Sequence, residues 1–225
     1  DETTMSQTIK IDFVSDVACP WCAVGLASLE KAIANIGKDV KVDLHFHPFE
    51  LNPHMPVGGQ DVAEHLHGKY GYSPEQLEKN QVRIFASGAA VGFAFHPKGR
   101  KRVYNTFNAH RLLHWAGTLG EDVEAQHRLK KELLATYFTL AVSLDEQDNL
   151  LDAIERARLD PERARQILAT DEFAEQVRAA EHFYATAGIS AVPAVIFNDK
   201  YLVEGAQSVE RFESALKRYS QPETT

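Results

Sequence analysis

The sequence predicts an α/β protein whose sheet is built from two distant stretches of chain, with a large all-helical insertion between them. Residues 8–58 and 170–220 form the sheet-bearing part, and residues 59–169 form the insert. Three observations carry this reading. A strand pattern and a helix pattern flank the tetrapeptide Cys19-Pro20-Trp21-Cys22. The middle stretch shows repeated helix starts and stops and no strand alternation. The chain after it returns to a strand, a turn, a second strand and a helix.

The elements follow in order. Ile9 to Val14 reads as the first strand, and Ala23 to Ile36 as a helix that stops near Gly37. From Val40 to Phe46, Val42, Leu44 and Phe46 alternate with Lys41, Asp43 and His45, the period of a half-buried strand. Pro48, Pro53 and Pro56 mark an extended loop. Within the insert, Ser73-Pro74-Glu75 sets a capping residue before a proline, and a helix fits Pro74 to Val91. Asn105 to Thr118, Glu121 to Phe138 and Leu150 to Ala157 read as further helices, and Asp160-Pro161-Glu162 opens one more. Asp171 to Ala187 is a helix ending at Gly188. Ala194 to Phe197 is a short apolar strand, Asn198-Asp199-Lys200 a turn, and Tyr201 to Glu204 pairs back as a hairpin. Ser208 to Tyr219 is the last helix, with Val209, Phe212 and Leu216 on one face.

With 225 residues the chain can bury a substantial core without staples. Its 44% hydrophobic and 25% charged residues are ordinary for a globular protein. A net charge of −8 counts against nucleic acid and anionic membrane surfaces as partners. No apolar run approaches the length of a membrane span. Asp1-Glu2-Thr3-Thr4-Met5-Ser6-Gln7 lacks the basic start and apolar stretch of a secretory signal. Met5 then reads as the natural start, and a cytoplasmic home with reduced cysteines is expected. A mature form with its signal removed would look the same, which keeps a periplasmic home open.

Cys19 and Cys22 are the only cysteines. Their spacing lets two sulfurs meet when the first sits at the start of a helix, the arrangement of a thiol–disulfide redox site. Unpaired N–H groups and the helix dipole favour a thiolate there, so the Cys19 pKa is expected below the free value of about 8.5. Pro20 suits the first turn because it has no N–H to leave unpaired. Cys19 is the expected attacking sulfur and Cys22 the more buried, resolving one. Trp21 tunes the pair: an indole cannot add positive charge beside the thiolate as a histidine would. A moderately lowered pKa and a less oxidising disulfide follow. Two merely structural cysteines are the bland alternative. A structural zinc would need two more ligands, and no second Cys-x-x-Cys exists. His110 and His114 have metal-ligand spacing but lack the adjacent acid of a zinc protease, so a capped or core-facing pair explains them better. Neither a metal nor a prosthetic cofactor is expected. His45 and His47 share a strand face and are read as surface- or loop-facing.

In Gly188-Ile189-Ser190-Ala191-Val192-Pro193-Ala194 a proline opens a strand after a helix stop. Alone, such a proline would be trans. Beside a Cys-x-x-Cys and a following hairpin, Pro193 is expected to be cis, exposing the backbone of Val192 to the sulfurs and to an extended substrate. An acid beneath the site would shuttle the Cys22 proton. Asp12, on the first strand, is the candidate. Asp16 lies nearer in sequence, in the loop. For each, a solvated carboxylate is the alternative.

Four separated motifs add to this: Ser15-Asp16 ahead of the cysteine tetrapeptide, Pro48-Phe49-Glu50-Leu51-Asn52-Pro53, Asn105-Thr106-Phe107-Asn108-Ala109-His110-Arg111-Leu112, and Gly205-Ala206-Gln207. With them the chain resembles the DsbA-like branch of the thioredoxin superfamily, and more narrowly its FrnE-like subfamily, over nearly its whole length. The resemblance implies a thioredoxin fold interrupted by an all-helical domain, and dithiol–disulfide oxidoreductase chemistry. It implies that Cys19 is the nucleophile, Cys22 the resolving cysteine and Pro193 the cis-proline. It also points to Asn105, His110 and Arg111 near the groove between the domains. From the residues alone, the alternative is helix–helix packing with Arg111 paired to an acid. Asp12 stands about where related enzymes carry a buried acid, with one residue inserted before the cysteines.

Protein or small-molecule disulfides and dithiols are the expected partners; a recycling partner is not legible. The alternative is a glutathione-dependent isomerase or transferase of the 2-hydroxychromene-2-carboxylate isomerase or kappa-class type. Those resemble the chain overall, use a serine-type site, and would bring glutathione in as a co-substrate. The presence of both cysteines favours redox work. A non-enzymatic partner-binding domain is the third reading, and predicts that a Cys19→Ser, Cys22→Ser double variant keeps full activity.

Overall fold

The structure, a computed structural model, describes residues 7–221. The expectations about Met5 and a signal segment lie outside those residues, apart from Gln7. Strand β1 (Gln7–Ser15) buries Ile9, Ile11, Phe13 and Val14 completely, because it lies inside the sheet and is covered on both faces. The sheet order is β2-β1-β5-β6, with β2 spanning Val40–Pro48, β5 Ala194–Phe197 and β6 Tyr201–Glu204. β1 and β2 run parallel, while β5 is antiparallel to β1 and β6 to β5. Phe13 stands opposite Phe46 on one side and Val195 on the other. The two distant stretches thus meet in one sheet, as the sequence predicts.

A parallel pair needs a crossover, and helix α1 (Pro20–Ile36) supplies it between β1 and β2. The final helix, α9 (Val209–Tyr219), packs on α1 with Phe212 and Leu216 fully buried. Ser28 Oγ of α1 fixes the approach to α9 by donating to the Gln207 carbonyl at 2.6 Å.

The insert contributes α2 (Val62–Tyr70), α3 (Pro74–Val91), α4 (Phe107–Ala116), α5 (Ala125–Leu134), α6 (Gln147–Arg156) and α7 (Pro161–Leu168), and α8 (Ala174–Thr186) leads back to the sheet. Ser73 and Gln76 form a reciprocal capping box on α3, and Asp160 caps α7. α3 packs on α1, while α4, α5 and α8 pack on β2. One contiguous core runs from Ile9 through Leu112, Leu129 and Tyr137 to Leu216. Among the described residues no helix is long and apolar enough to cross a membrane.

Three features correct the sequence reading. The middle stretch is not free of strand: β3 (Gln60–Asp61) pairs antiparallel with β4 (Arg102–Val103). Two residues per strand leave no alternation to detect. Helix α2 escaped notice because it buries none of its residues; the Asp61 cap and left-handed Gly71 define it instead. The helix expected over Glu121 to Phe138 begins at Ala125, and after Leu134 its bonds widen into a π turn over Ala135–Thr139. Thr136, Tyr137 and Phe138 are all buried there, three neighbours that an α-helix would fan across a wide arc.

Candidate active site

Pro20 opens α1, which leaves Cys19 as its N-cap in an extended conformation. A sulfur takes the place an oxygen usually holds: Cys19 Sγ accepts from the Cys22 backbone N–H at 3.3 Å. Both residues are buried as free thiols, Cys22 completely. Their proton affinities diverge. The hydrogen bond from the Cys22 thiol lowers the Cys19 pKa; burial opposes this, the Cys22 N–H adds to it, the Asp16 charge raises it and the Arg100 charge lowers it. The net direction for Cys19 is down. Burial pushes Cys22 well above the ordinary thiol range, and its bond to Cys19 and the Cys19 charge push the same way. One sulfur is prepared to lose its proton while its neighbour keeps one.

The Cys19 thiol also reaches the Val192 carbonyl at 3.8 Å, and the Val192–Pro193 peptide bond is cis. Pro193 lies close against α1: a Cβ on Gly25 would stand 3.0 Å from its Cγ and 3.4 Å from Ala206 Cα. Glycine at position 25 is what lets this loop approach the helix. Trp21 is half-buried, and the Arg83 guanidinium of α3 lies over its ring at 5.3 Å. Arg100 donates to the Ala18 carbonyl at 2.9 Å and to the Tyr137 hydroxyl at 3.3 Å, clamping the turn ahead of Cys19.

The two candidate acids part company. Asp12 is buried, accepts from His47 Nε2 at 2.6 Å and pairs with Lys10 at 3.5 Å. His47 is only half-exposed, with its ring against Tyr184. Asp16 is 1% exposed and gathers four donors. Oδ1 accepts from Val17 N at 2.8 Å, Thr106 Oγ1 at 2.7 Å and His110 Nε2 at 3.0 Å. Oδ2 accepts from Leu51 N at 2.9 Å. Burial alone would raise its pKa, but the His110 bond and charge, helped by Leu51 and Thr106, hold the carboxyl below its usual range. Neither acid is a solvated carboxylate, and it is the Asp16 charge that acts on Cys19 and the Asp16 backbone N–H that favours the Cys22 thiolate.

His110 therefore joins the cysteine turn through Asp16. Asn105 donates to Glu50 and to the Pro53 carbonyl, both at 3.3 Å, while its own Oδ1 accepts from Phe107 N at the start of α4. Burial and the neighbouring Glu181 carboxyl push Glu50 up to about 8. Arg111 does other work. It donates to the carbonyls of Ile167, Thr170 and Glu172 and to Asn108 Oδ1, so its partners are the end of α7 and the turn after it, not the expected acid.

Sequence reasoning missed Arg83, Arg100, Thr106 and Lys130. Lys130 is 1% exposed on α5, and its positive charge opposes the rise in the Cys22 pKa. A signal for it existed: Lys130 shares the buried stripe of α5 with Leu129, Leu133 and Leu134. Among the described residues no group of three or more His, Cys, Asp or Glu side chains is placed to hold a metal ion.

Comparison with known proteins agrees with this architecture. The probable DsbA oxidoreductase SCO1869 from Streptomyces coelicolor is similar in structure with a TM-score of 0.84, at 33% identity over 96% of this chain and 92% of that one. The uncharacterized protein YwbO of Bacillus subtilis (strain 168) is 28% identical over 210 residues, 93% of this chain and 96% of its own length. A 2-hydroxychromene-2-carboxylate isomerase shares the fold at 15% identity, with a TM-score of 0.67 over 93% of this chain and 95% of that one. Residues 10–217, from the first strand to the last helix, match a single family, and the chain belongs to it: the DSBA-like thioredoxin domain family.

Proposed function

We propose that the chain is a thiol–disulfide oxidoreductase in which Cys19 attacks and Cys22 resolves. The observation that carries the reading is the placement of the two sulfurs: Cys19 caps α1, accepts from the Cys22 N–H at 3.3 Å and lies beside the cis Val192–Pro193 bond, while Cys22 is fully buried behind it. The Cys19 thiolate attacks one sulfur of a substrate disulfide, forming a mixed disulfide and releasing the other sulfur as a thiolate. Cys22 then loses its proton and attacks Cys19 Sγ. The Cys19–Cys22 disulfide forms, the second substrate thiolate leaves, and the protein has given up two electrons. The reverse sequence oxidises a dithiol.

Asp16, in place of Asp12, is the acid for the Cys22 proton, with His110 and Thr106 as its supports. Val192 offers backbone hydrogen bonds to an extended substrate beside Cys19, Pro193 shapes that wall, and Pro20 and Trp21 flank the attacking sulfur. Asn105 and His110 belong to the substrate groove, whereas the contacts of Arg111 support a packing role. Residues 8–58 and 170–220 act as the redox domain and residues 59–169 as its helical insert. Protein disulfides are the favoured substrates, with glutathione as a candidate co-substrate in a cytoplasmic setting.

Insulin reduction by dithiothreitol tests the reading. The protein accelerates it, and Cys19→Ser abolishes the acceleration. Full acceleration by Cys19→Ser would overturn the proposal. Glutathione-dependent isomerisation that survives Cys22→Ser would move the chain to the isomerase and transferase class.

A further inference from the structure

A partly open cavity of about 200 Å³ lies where β2 meets α4, α5 and α8. Lys130 lines it. The Lys130 side chain is buried, yet among the described residues it makes no hydrogen bond and no ion pair. The charges of Cys22, Asp16 and Cys19 act on the ammonium, but its burial outweighs them, so what faces it in the cavity matters.

The other polar groups of the wall are mostly engaged. Gln126 is satisfied by the Phe46 N–H and by the Phe46 and Leu113 carbonyls. Thr118 donates to the Trp115 carbonyl. His45, His47 and His110 each hold an aspartate through Nε2. His114 lines the cavity with no hydrogen bond among the described residues, its ring against Phe173. Burial lowers its pKa, which leaves a neutral imidazole with one N–H to donate. No Asp or Glu is among the lining residues, and Phe46, Leu113 and Ala180 supply apolar wall.

Beyond the aspartate-held histidines, the cavity therefore presents the Lys130 ammonium, which is in no ion pair among the described residues, the His114 N–H and apolar surface. A dianion such as phosphate would find half its charge unmatched. We propose that this cavity is a binding site for a small monocarboxylate with an apolar body, held by the Lys130 ammonium and the His114 N–H. Neither sulfur lines the cavity, although the Cys22 and Cys19 charges act on Lys130.

Titration of the full chain with 4-fluorobenzoate, followed by its fluorine resonance, tests the site. Wild type shows saturable binding at one site. Lys130→Met weakens it about thirtyfold or more, the effect of removing one partner of a buried charge pair. Ala180→Leu, which fills the cavity and leaves the ammonium in place, weakens it to a similar degree. The proposal is overturned by absent saturation in wild type, by unchanged affinity in folded Lys130→Met, or by tighter binding of inorganic phosphate than of 4-fluorobenzoate. Should Lys130→Met fail to fold, Ala180→Leu decides: unchanged affinity there overturns the site.

Discussion

Replacing Asp16 with Asn separates two roles of one carboxylate. Three donors converge on Oδ1 and one on Oδ2. An asparagine keeps its oxygen where three donors meet, and its amide nitrogen then faces the Leu51 N–H, donor against donor. One charge-assisted bond is lost, about 1.5–3 kcal/mol, and a buried N–H is left unpaired, about 1–3 kcal/mol. These losses overlap, and removing a buried charge relieves some desolvation, so a destabilisation of about 2–4 kcal/mol is expected in urea unfolding at neutral pH. The Cys19 pKa moves the other way in its consequence. The Asp16 charge raises it, so the variant forms its thiolate at a lower pH than wild type. The sign with pH follows from the depressed Asp16 pKa. The stability difference is fully present above the unfolded value of about 3.9 and disappears as pH falls through the lower folded value. Thiolate absorbance and urea unfolding across pH read both effects. An unchanged unfolding midpoint, or a Cys19 pKa that rises, refutes the reasoning.

Three further outcomes are expected. Gly25→Ala gains up to about 1 kcal/mol of helix propensity but loses about 1–3 kcal/mol to crowding against Pro193 and Ala206, so stability changes modestly while insulin reduction slows severalfold; an unaltered rate counts against this packing. Arg111→Met strips the donors from three carbonyls and should cost about 3 kcal/mol or more in urea unfolding, without moving the Cys19 thiolate titration; a moved titration would return Arg111 to the active site. Glu50, with its pKa raised to about 8, holds a proton that the unfolded chain releases near pH 4.3. Folding stability therefore declines as pH rises through that window. Glu50→Gln should flatten the decline, and an equally steep profile in the variant would show that Glu50 does not cause it.

What the sequence made legible was local. The alternation of Val42, Leu44 and Phe46, the Ser73-Pro74 cap and the Asn198-Asp199-Lys200 turn each specify structure within a few residues. The cysteine spacing did the same for the placement of the two sulfurs at the start of α1. The choice between Asp12 and Asp16 was not local. β1 is buried on both faces, so alternation says nothing about which acid faces the sulfurs. What marks Asp16 is the arrival of Leu51, Thr106 and His110 from two other segments. Arg111 posed the same problem: its residue type suggested an acid partner, but its place on α4 against the end of α7 supplied carbonyls instead. The strands β3 and β4 were too short to carry a period, and α2 had no buried face to reveal one.

The charges around the sulfur pair are divided between the two parts of the chain. The carboxylates Asp12, Asp16 and Glu50 belong to the sheet-bearing part. Arg83 over Trp21, Arg100 on the Ala18 carbonyl, His110 on Asp16 and Lys130 near Cys22 all come from the insert. A cation that stabilises the reduced, thiolate form makes the disulfide more oxidising, by about 30 mV for each 1.4 kcal/mol in a two-electron couple. Sequence reasoning expects a less oxidising pair because an indole between the cysteines brings no charge. The Trp21 ring gives Arg83 a surface to rest on, at 5.3 Å. Any shift of the insert against the sheet moves Arg83, Arg100, His110 and Lys130 relative to the sulfurs together. On the proposed redox reading, the poise of the cysteine pair then depends on how the helices seat on the sheet as well as on the two residues between the cysteines.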